Sequence, residues 1–262
     1  MTRSFREVAV DAATRAGALL RAHLGGHRDI AYKGSPTNLV TEMDRRAEAL
    51  IVDAIRAGFP DHSLLAEERG TVAAGSSHRW IVDPLDGTTN YAHGFPVFCV
   101  SIALEIEGAV MLGVVYDPNR EECFVAERGA GAFLNGHRLR VSTTPRLCES
   151  LVSTGYQYDI REPTRNNLAE HAALLHRSQS VREIGSAVLN QASVAAGRLD
   201  AFWELSLGAW DVAAGALLVE EAGGRVTSAN GGALDLAAPS IVASNGAIHD
   251  EILKILEEVR TR

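Results

Sequence analysis

The sequence predicts an α/β protein, and two patterns along the chain support this prediction. Over roughly residues 97–141, short β-rich runs are separated by turn signals such as Asn135-Gly136, which is typical of an antiparallel meander. After Pro145, strand-like segments alternate with helical ones, which indicates a layered α/β arrangement. We therefore expect two tightly packed units, residues 1–145 and 146–262.

The first half is predicted to contain two helices before the meander. Apolar residues recur at helical spacing from Phe5 onward, and Gly25-Gly26 marks the end of this helix. Thr41 and Asp44 form a capping-box pattern, which predicts a second helix that continues to about Arg56. Between the two helices we expect an extended segment at residues 30–32 and a flexible turn at Lys33-Gly34-Ser35-Pro36.

Hydrophobic periodicity predicts the alternating elements of the second half. Gly223-Gly224 marks the end of one apolar helix, and the chain closes with an amphipathic helix. The predicted strands cover residues 151–153, 181–184, 199–204 and 241–244, and the predicted helices cover residues 163–177, 186–196 and 211–222.

The composition, 46% hydrophobic and 22% charged residues, is that of a globular protein. A net charge of −8 argues against a nucleic-acid binder, which normally carries a basic face. Three widely separated cysteines predict neither a disulfide framework nor a zinc site and fit a reducing compartment. No apolar run reaches membrane-spanning length, and Glu7 and Asp11 lie in an amphipathic N-terminal pattern unlike a targeting signal. We therefore expect a cytoplasmic protein without a membrane partner.

Residues 80–90, Trp-Ile-Val-Asp-Pro-Leu-Asp-Gly-Thr-Thr-Asn, form the most informative segment. An apolar strand leads to Asp83, and Pro84 prevents normal ladder bonding beyond it. Asp86 follows, and Gly87-Thr88 is then typical of a helix start with free backbone N–H groups. Two hard oxygen ligands beside such a helix start suit a magnesium-bound phosphate, although a plain aspartate-rich turn has a similar sequence.

Other acidic residues could join these aspartates. Asp44 falls within the apolar arc of its helix, where a carboxylate needs a donor or a cation; it could also serve only as a helix cap. Glu67 and Glu68 follow a short apolar run, so that one of them faces a site or both lie in a solvated turn. Asp211 precedes an apolar helix, either as its N-cap or as a ligand.

The candidate cluster comprises Glu67, Asp83, Asp86 and Asp211. If these acids met, each pair of charges at ~4 Å would repel by roughly 4 kcal/mol at an effective dielectric constant of about 20. Divalent cations would be needed to balance such a cluster. The acids are therefore either scattered through the fold or they bind metal.

These motifs resemble those of the inositol monophosphatase family of magnesium-dependent, lithium-sensitive phosphatases. The resemblance covers nearly the whole chain in the family's order, and its blocks are residues 33–44, Ala66-Glu67-Glu68, residues 80–96, and residues 209–215 followed by Glu221-Ala222-Gly223-Gly224. It implies an αβαβα layered sandwich, in which mixed and antiparallel sheets alternate with helix layers. It also implies a homodimer.

The resemblance further implies the roles of individual residues. One Mg²⁺ would be held by Glu67, Asp83 and the Leu85 carbonyl, a second by Asp83, Asp86 and Asp211, and a weaker third with help from Glu67. The backbone N–H groups of Gly87 and Thr88 would bind phosphate. Thr88, hydrogen-bonded to Asp44, would orient the attacking water, and Lys33 would lie near the phosphate or the third metal ion.

Substrate selection is implied at Glu204 and Ala187, which match positions beside the substrate hydroxyls. Each also has a simpler interpretation, as a surface glutamate at a strand end and as a helix-packing alanine. Residues 156–161 have no counterpart in the inositol-specific pattern, which leaves the alcohol open.

We expect a phosphomonoesterase that acts on a small polyol phosphate, with inositol 1-phosphate as the first candidate. The alternatives are a histidinol-phosphate phosphatase, a fructose-1,6-bisphosphatase or an adenosine 3′,5′-bisphosphate phosphatase. A regulatory protein with little turnover is the alternative of another class.

Overall fold

The computed structural model describes residues 3–26, 30–32, 39–157 and 166–261. The turn predicted at residues 33–36, including Lys33, and the predicted helix start at residues 163–165 lie outside these ranges. Within them, no helix is both long and apolar enough to cross a membrane.

The α-helices of the described residues are α1 (Phe5–His23), α2 (Glu42–Gly58), α3 (Thr88–Ala92), α4 (Leu168–Leu175), α5 (Ala187–Ala195), α6 (Ala209–Glu221) and α7 (His249–Arg260). The strands of the first half are β1 (Ile30–Tyr32), β2 (Leu39–Thr41), β3 (Ser63–Ala66), β4 (Gly70–Val72), β5 (His78–Asp86), β6 (Cys99–Ile106), β7 (Ala109–Asp117), β8 (Glu122–Glu127), β9 (Gly131–Leu134) and β10 (His137–Arg138). The strands of the second half are β11 (Leu151–Thr154), β12 (Ser180–Arg182), β13 (Ala201–Glu204), β14 (Arg225–Thr227) and β15 (Ile241–Ser244).

These elements form five layers in which helix pairs alternate with sheets. An eight-stranded sheet has the order β10-β9-β8-β7-β6-β5-β3-β4, and a five-stranded sheet has the order β12-β11-β13-β15-β14. Helices α1 and α2 pack on the outer face of the first sheet, α5 and α6 lie between the sheets, and α4 and α7 cover the second sheet. The predicted αβαβα sandwich is confirmed.

The first sheet is mixed, because β3 pairs with β5 in parallel while the other pairs are antiparallel. The predicted meander is confirmed as β6 to β10, each antiparallel to its neighbour. Strand β5 therefore lies between β3 and β6, with both faces covered by helices. This placement explains the unbroken apolar run before Asp83.

The two N-terminal helices are fixed by capping boxes. Ser4 and Glu7 cap α1, and Thr41 and Asp44 cap α2, as predicted for the second helix. Each helix buries one apolar face against the first sheet, which matches the helical spacing of its apolar residues. Apolar burial at this interface is the main source of stability for both helices.

The structure corrects several predicted boundaries in the second half. Helix α4 begins at Leu168, because Asn167 has a left-handed backbone (φ 60°) and its side chain donates to Gly155 O and accepts from Trp203 Nε1. The strand predicted at residues 181–184 ends at Arg182, since the Ile184 carbonyl accepts instead from Asn90. The strand predicted at residues 199–204 is shorter, and α6 begins two residues before its predicted start.

A buried histidine joins α7 to the second sheet. His249 is 0% exposed, and its ring nitrogens lie 2.9 Å from Thr227 Oγ1 and 2.8 Å from Ser244 Oγ. Burial, with a smaller contribution from the positive charge of Arg225, lowers the pKa of His249 from 6.5 to about 4. The ring is therefore neutral in the folded protein at pH 5, whereas it is protonated in the unfolded chain.

We predict that this histidine makes the protein less stable in acid. Because its folded pKa is depressed, its contribution is complete above about pH 6.5 and is lost as the pH falls towards 4, by about 3 kcal/mol in total. Urea unfolding at several pH values should show a flatter pH dependence for His249→Gln, whatever its absolute stability. The control is His137→Gln, at an exposed position, which should keep the slope of the unaltered chain. Equal slopes in all three proteins would contradict this assignment.

Candidate metal and phosphate site

The site begins where the ladder of β5 is interrupted. Asp83 pairs with Ser101 and Asp86 pairs with Cys99, with a register shift between them at Pro84, which has no N–H to donate. Asp83 is 2% exposed, and its Oδ1 accepts from the Leu85 N–H at 2.9 Å. The interrupted ladder turns this segment from the sheet towards a cavity.

Asp86 is held by the first turn of α5. Its carboxylate accepts from the Ser186 hydroxyl in a very short hydrogen bond, from the Val188 N–H at 2.9 Å and from the Ala187 N–H at 3.3 Å. The Cys99 thiol donates to the same carboxylate at 3.6 Å. Burial raises the pKa of Asp86, and these donors oppose that rise by stabilising the charged form.

Asp211 reaches the same place from α6. It lies in the first turn of that helix, and its Oδ2 accepts from the Gly208 N–H at 2.6 Å. Gly208 is the N-cap, so the alternative prediction that Asp211 itself caps the helix is wrong. Asp211 still stabilises the helix start, because its negative charge lies near the positive end of the helix dipole.

The structure brings the carboxylates of Asp83, Asp86 and Asp211 together. One oxygen of each lies within 4.8 Å of the others, and only Asp211 is more than marginally accessible. Burial is the main cause that raises the pKa of Asp83 well above its usual range, and the charges of Glu67, Asp86 and Asp211 add to it. Three hard oxygen donors at this spacing fit a divalent cation such as Mg²⁺ or Mn²⁺, and the cluster could hold a metal ion.

Glu67 and Leu85 complete the predicted ligand set along the same cavity. Glu67 follows β3, and its N–H donates to the Val82 carbonyl at 3.2 Å, which extends the pairing of β3 with β5. The Leu85 carbonyl oxygen lies 3.0 Å from Thr88 Oγ1, and its two lone pairs allow it to bind a further group. The roles of these residues as metal ligands stay predictions.

Thr88 connects the cluster to Asp44 on α2. Its Oγ1 lies 3.1 Å from Asp44 Oδ1, and the single hydroxyl proton serves either this carboxylate or the Leu85 carbonyl. Asp44 is 0% exposed, and its Oδ2 accepts from the Thr41 N–H at 2.8 Å and the Thr41 hydroxyl at 2.5 Å. Asp44 therefore completes the capping box of α2, whose N-cap is Thr41, and contacts Thr88 at the same time; burial raises its pKa.

Gly87 has a conformation and surroundings that require glycine. Its φ is +95°, and a Cβ atom here would lie 2.8 Å from the Val97 carbonyl and 3.2 Å from the Gly185 carbonyl. The side chain of Asn90 donates to the carbonyls of Val97 (2.9 Å) and Ile184 (2.8 Å). These contacts join the turn before α3 to the segment before α5.

A cavity of about 860 Å³ opens over the cluster. Of the residues predicted for the site, those that line it are Glu67, Asp83, Leu85, Asp86, Gly87, Thr88, Ala187, Glu204 and Asp211. Asp44 lies behind Thr88, outside the cavity lining.

Glu204, at the end of β13, is 6% exposed, so its interpretation as a surface glutamate is wrong. Burial raises the pKa of Glu204 well above its usual range, and the charges of Asp211 and Asp86 add to this effect. Gly155 faces it, where any side chain would collide with the Glu204 carboxylate. Ala187, at the start of α5, packs against the apolar core between the sheets, and it also lines the cavity.

Sequence reasoning missed several residues of this site. Ser186 and Cys99 hold Asp86, while Asn190, Trp210 and Tyr156 line the cavity. Ser186 carried one usable signal, since a serine before an apolar helix is a typical N-cap, and its hydroxyl also accepts from the Leu189 N–H. The others carried no local signal.

Comparison with known proteins decides the family. The sequence model of the inositol monophosphatase family matches residues 1–261. The chain belongs to the inositol monophosphatase family. Its members are phosphatases, and the chain is accordingly a phosphoric monoester hydrolase.

Individual relatives agree with this family. An inositol-1-monophosphatase of Synechocystis sp. is 45% identical over 251 residues, which cover 95% of this chain and 88% of the relative. A fructose-1,6-bisphosphatase/inositol-1-monophosphatase of Thermotoga maritima is 42% identical, with 94% and 93% covered. The structure of an inositol monophosphatase from Anabaena (Nostoc) sp. superposes with a TM-score of 0.89 at 44% identity, with 97% of this chain and 95% of that chain covered.

We predict that Gly87→Ala lowers both stability and phosphatase activity. A left-handed backbone costs a non-glycine residue about 1–2 kcal/mol, and the contact with the Val97 carbonyl adds to that cost. The matched control is Gly223→Ala, where φ is +88° and no atom lies within 4 Å of the new Cβ. Urea unfolding should show that Gly87→Ala loses at least about 1 kcal/mol more than the control. Equal losses would mean that the turn relaxes away from Val97 without cost.

Proposed function

We infer that the chain is a magnesium-dependent phosphomonoesterase that hydrolyses a small polyol phosphate, most directly inositol 1-phosphate. The observation that supports this most strongly is the placement of Asp83, Asp86 and Asp211 within 4.8 Å of one another at the wall of a large cavity. Acidic side chains alone would repel a phosphate. The cluster therefore makes sense as part of a phosphatase only when cations balance it.

Mg²⁺ bound by these carboxylates, with Glu67 and the Leu85 carbonyl, would supply positive charge to the phosphate and make a nearby water more acidic. Two ions, with a weaker third, follow from the family resemblance. The N–H groups of Gly87 and Thr88, at the start of α3, lack helical acceptors and are suited to bind phosphate oxygens.

Thr88 is suited to orient the attacking water. Its hydroxyl donates to Asp44 or to the Leu85 carbonyl, so its remaining lone pairs can accept a hydrogen bond from that water. When this hydroxyl donates to Asp44, the buried carboxylate fixes its orientation, and the Oγ1 lone pairs then face away from Asp44. Asp44 and Thr88 thus act as an orienting pair.

Glu204 supports a polyol as the alcohol part of the substrate. It lies at the end of β13 in the second sheet, lines the same cavity as Gly87, and is a nearly buried carboxyl group that can accept from hydroxyls. A charged group in such a place is costly unless a ligand satisfies it. We therefore propose that Glu204 binds substrate hydroxyls.

A sugar bisphosphate is the second candidate. Tyr156 and Gln157 line the same cavity of about 860 Å³ as Glu204 and add polar groups that a second phosphate could contact. The relative from Thermotoga maritima, named for both activities, supports this option. A homodimer remains a prediction from the family resemblance.

The test is a substrate panel with and without Mg²⁺, using inositol 1-phosphate, fructose 1,6-bisphosphate, histidinol phosphate, adenosine 3′,5′-bisphosphate and an aryl phosphate. We predict magnesium-dependent turnover with the highest kcat/KM for inositol 1-phosphate. A higher value for another substrate would replace the polyol assignment. Absence of turnover on the whole panel would support a regulatory protein instead.

Glu204→Gln, measured on the same panel, tests the specificity claim. Loss of a charged hydrogen bond should lower kcat/KM for inositol 1-phosphate about ten- to a hundredfold and leave the aryl phosphate nearly unchanged. The matched control, Glu183→Gln, makes the same chemical change at an exposed position on the cavity rim and should alter neither substrate by more than about threefold. Equal losses on both substrates for Glu204→Gln would show that Glu204 supports the metal site or the fold.

A further inference from the structure

Gln191 lies on α5, one turn beyond the segment that holds Asp86. It is fully buried. Its Nε2 donates to two backbone carbonyls, Ala187 O at 3.0 Å and Asp211 O at 2.7 Å. A single side-chain amide therefore joins the first turn of α5 to the first turn of α6.

These two turns position two of the three carboxylates of the acidic cluster, those of Asp86 and Asp211. The first turn of α5 holds Asp86 through the N–H groups of Ala187 and Val188, whereas the first turn of α6 carries Asp211 itself. If α5 slid along α6, the carboxylates of Asp86 and Asp211 would move relative to each other. The amide of Gln191 opposes this movement, because its two bonds cannot both persist after a slide.

The local cost of this arrangement indicates that it serves the site. Within the described part of the chain, Gln191 Oε1 is buried without a hydrogen-bond partner, which is unfavourable for stability. If the amide were flipped, Oε1 would face the carbonyl oxygens of Ala187 and Asp211, and both hydrogen bonds would be lost. The observed orientation is therefore the more favourable of the two.

Gly215 is a second unfavourable feature of the contact between α5 and α6, because glycine in the interior of a helix lowers the stability of that helix. A Cβ atom on Gly215 would lie 2.6 Å from Gln191 Oε1 and 2.7 Å from Gln191 Cβ. The glycine thus allows the two helices to approach closely enough for the amide to reach Asp211. Departures from local preference concentrate where function demands a particular geometry.

We propose that Gln191 is a positioning residue that fixes the separation of Asp86 and Asp211 and thereby raises the affinity of the acidic cluster for divalent cations. The inference rests on the proposed metal site, and it adds a residue that contacts neither metal nor substrate. Gln191 acts through the backbone of Ala187 and Asp211.

The test is Gln191→Met, which keeps the volume and the helix preference of the side chain and removes both donors. Titration calorimetry of the chelator-treated full chain with Mn²⁺ should give a Kd about three- to tenfold higher than that of the unaltered chain, as expected from the loss of one or two hydrogen bonds. The Tm without metal should change by less than about 3 °C, because the buried unpaired oxygen is removed as well. The Mg²⁺ concentration for half-maximal turnover should rise similarly, with kcat recovered at saturating Mg²⁺.

The matched control is Val194→Ala, on the same helix and fully buried in the core between the sheets. It should lower the Tm and leave the Mn²⁺ Kd unchanged, the reverse of the pattern for Gln191→Met. An equal rise of the Kd in both variants would show a general effect of packing and would overturn the proposal.

An unchanged Mn²⁺ Kd for Gln191→Met would also overturn it. If that variant does not fold, Gly215→Ala decides the question, because it displaces the amide without removing it and should raise the Kd; an unchanged Kd there contradicts the proposal. Failure of the unaltered chain to bind Mn²⁺ would overturn the metal site itself, and this inference with it.

Discussion

The carboxylates of Asp83, Asp86 and Asp211 repel one another, and the surrounding elements hold them together against this repulsion. The three carboxylates lie within 4.8 Å of one another in a place largely removed from water. Each carboxylate accepts from a backbone N–H group: Asp83 from Leu85 and Asp211 from Gly208, both nearby in the sequence, and Asp86 from Val188 on α5. These donors keep the acids together despite their charges, so that a cation meets ligands that need little rearrangement.

The layered architecture explains how this arrangement is built. The first sheet contributes Asp83 and Asp86 at the interruption of β5, and the central helices contribute Asp211 and the donors to Asp86. The second sheet contributes Glu204 to the lining of the same cavity. In the function we propose, one half of the chain thus provides most of the metal chemistry, and the other half provides contacts with the alcohol.

Local sequence patterns predict some features of this site and do not predict the others. The position of Asp44 on an apolar helical arc predicted its burial, and the sequence around Pro84 predicted the interrupted ladder. Both are properties of a few consecutive residues. Ser186 lies 100 positions from the aspartate that it contacts, so nothing near it in the sequence could reveal that partner.

The errors in the predicted elements have the same origin. The start of α4 was misplaced because Asn167 bonds to Trp203, a residue 36 positions away, in preference to the helix. The strand pattern around Glu204 is compatible with an exposed position. Its burial depends on Gly155 and on the central helices, and the sequence of a single strand does not encode these contacts. Periodicity predicts which face of an element is buried, and it does not predict which residues meet across layers.

Thermal unfolding of Asp83→Asn at pH 7.5, with chelator and with saturating Mg²⁺, shows whether the three carboxylates repel one another and bind metal. Without metal, removing one of the repelling charges should raise the Tm by about 2–4 °C or more, whereas Asp53→Asn, at an exposed position of α2, should leave it unchanged. Added Mg²⁺ should stabilise the unaltered chain and the Asp53 variant and give little stabilisation to Asp83→Asn. A metal-free Asp83→Asn protein less stable than the unaltered chain, or one that Mg²⁺ stabilises equally, would contradict the account.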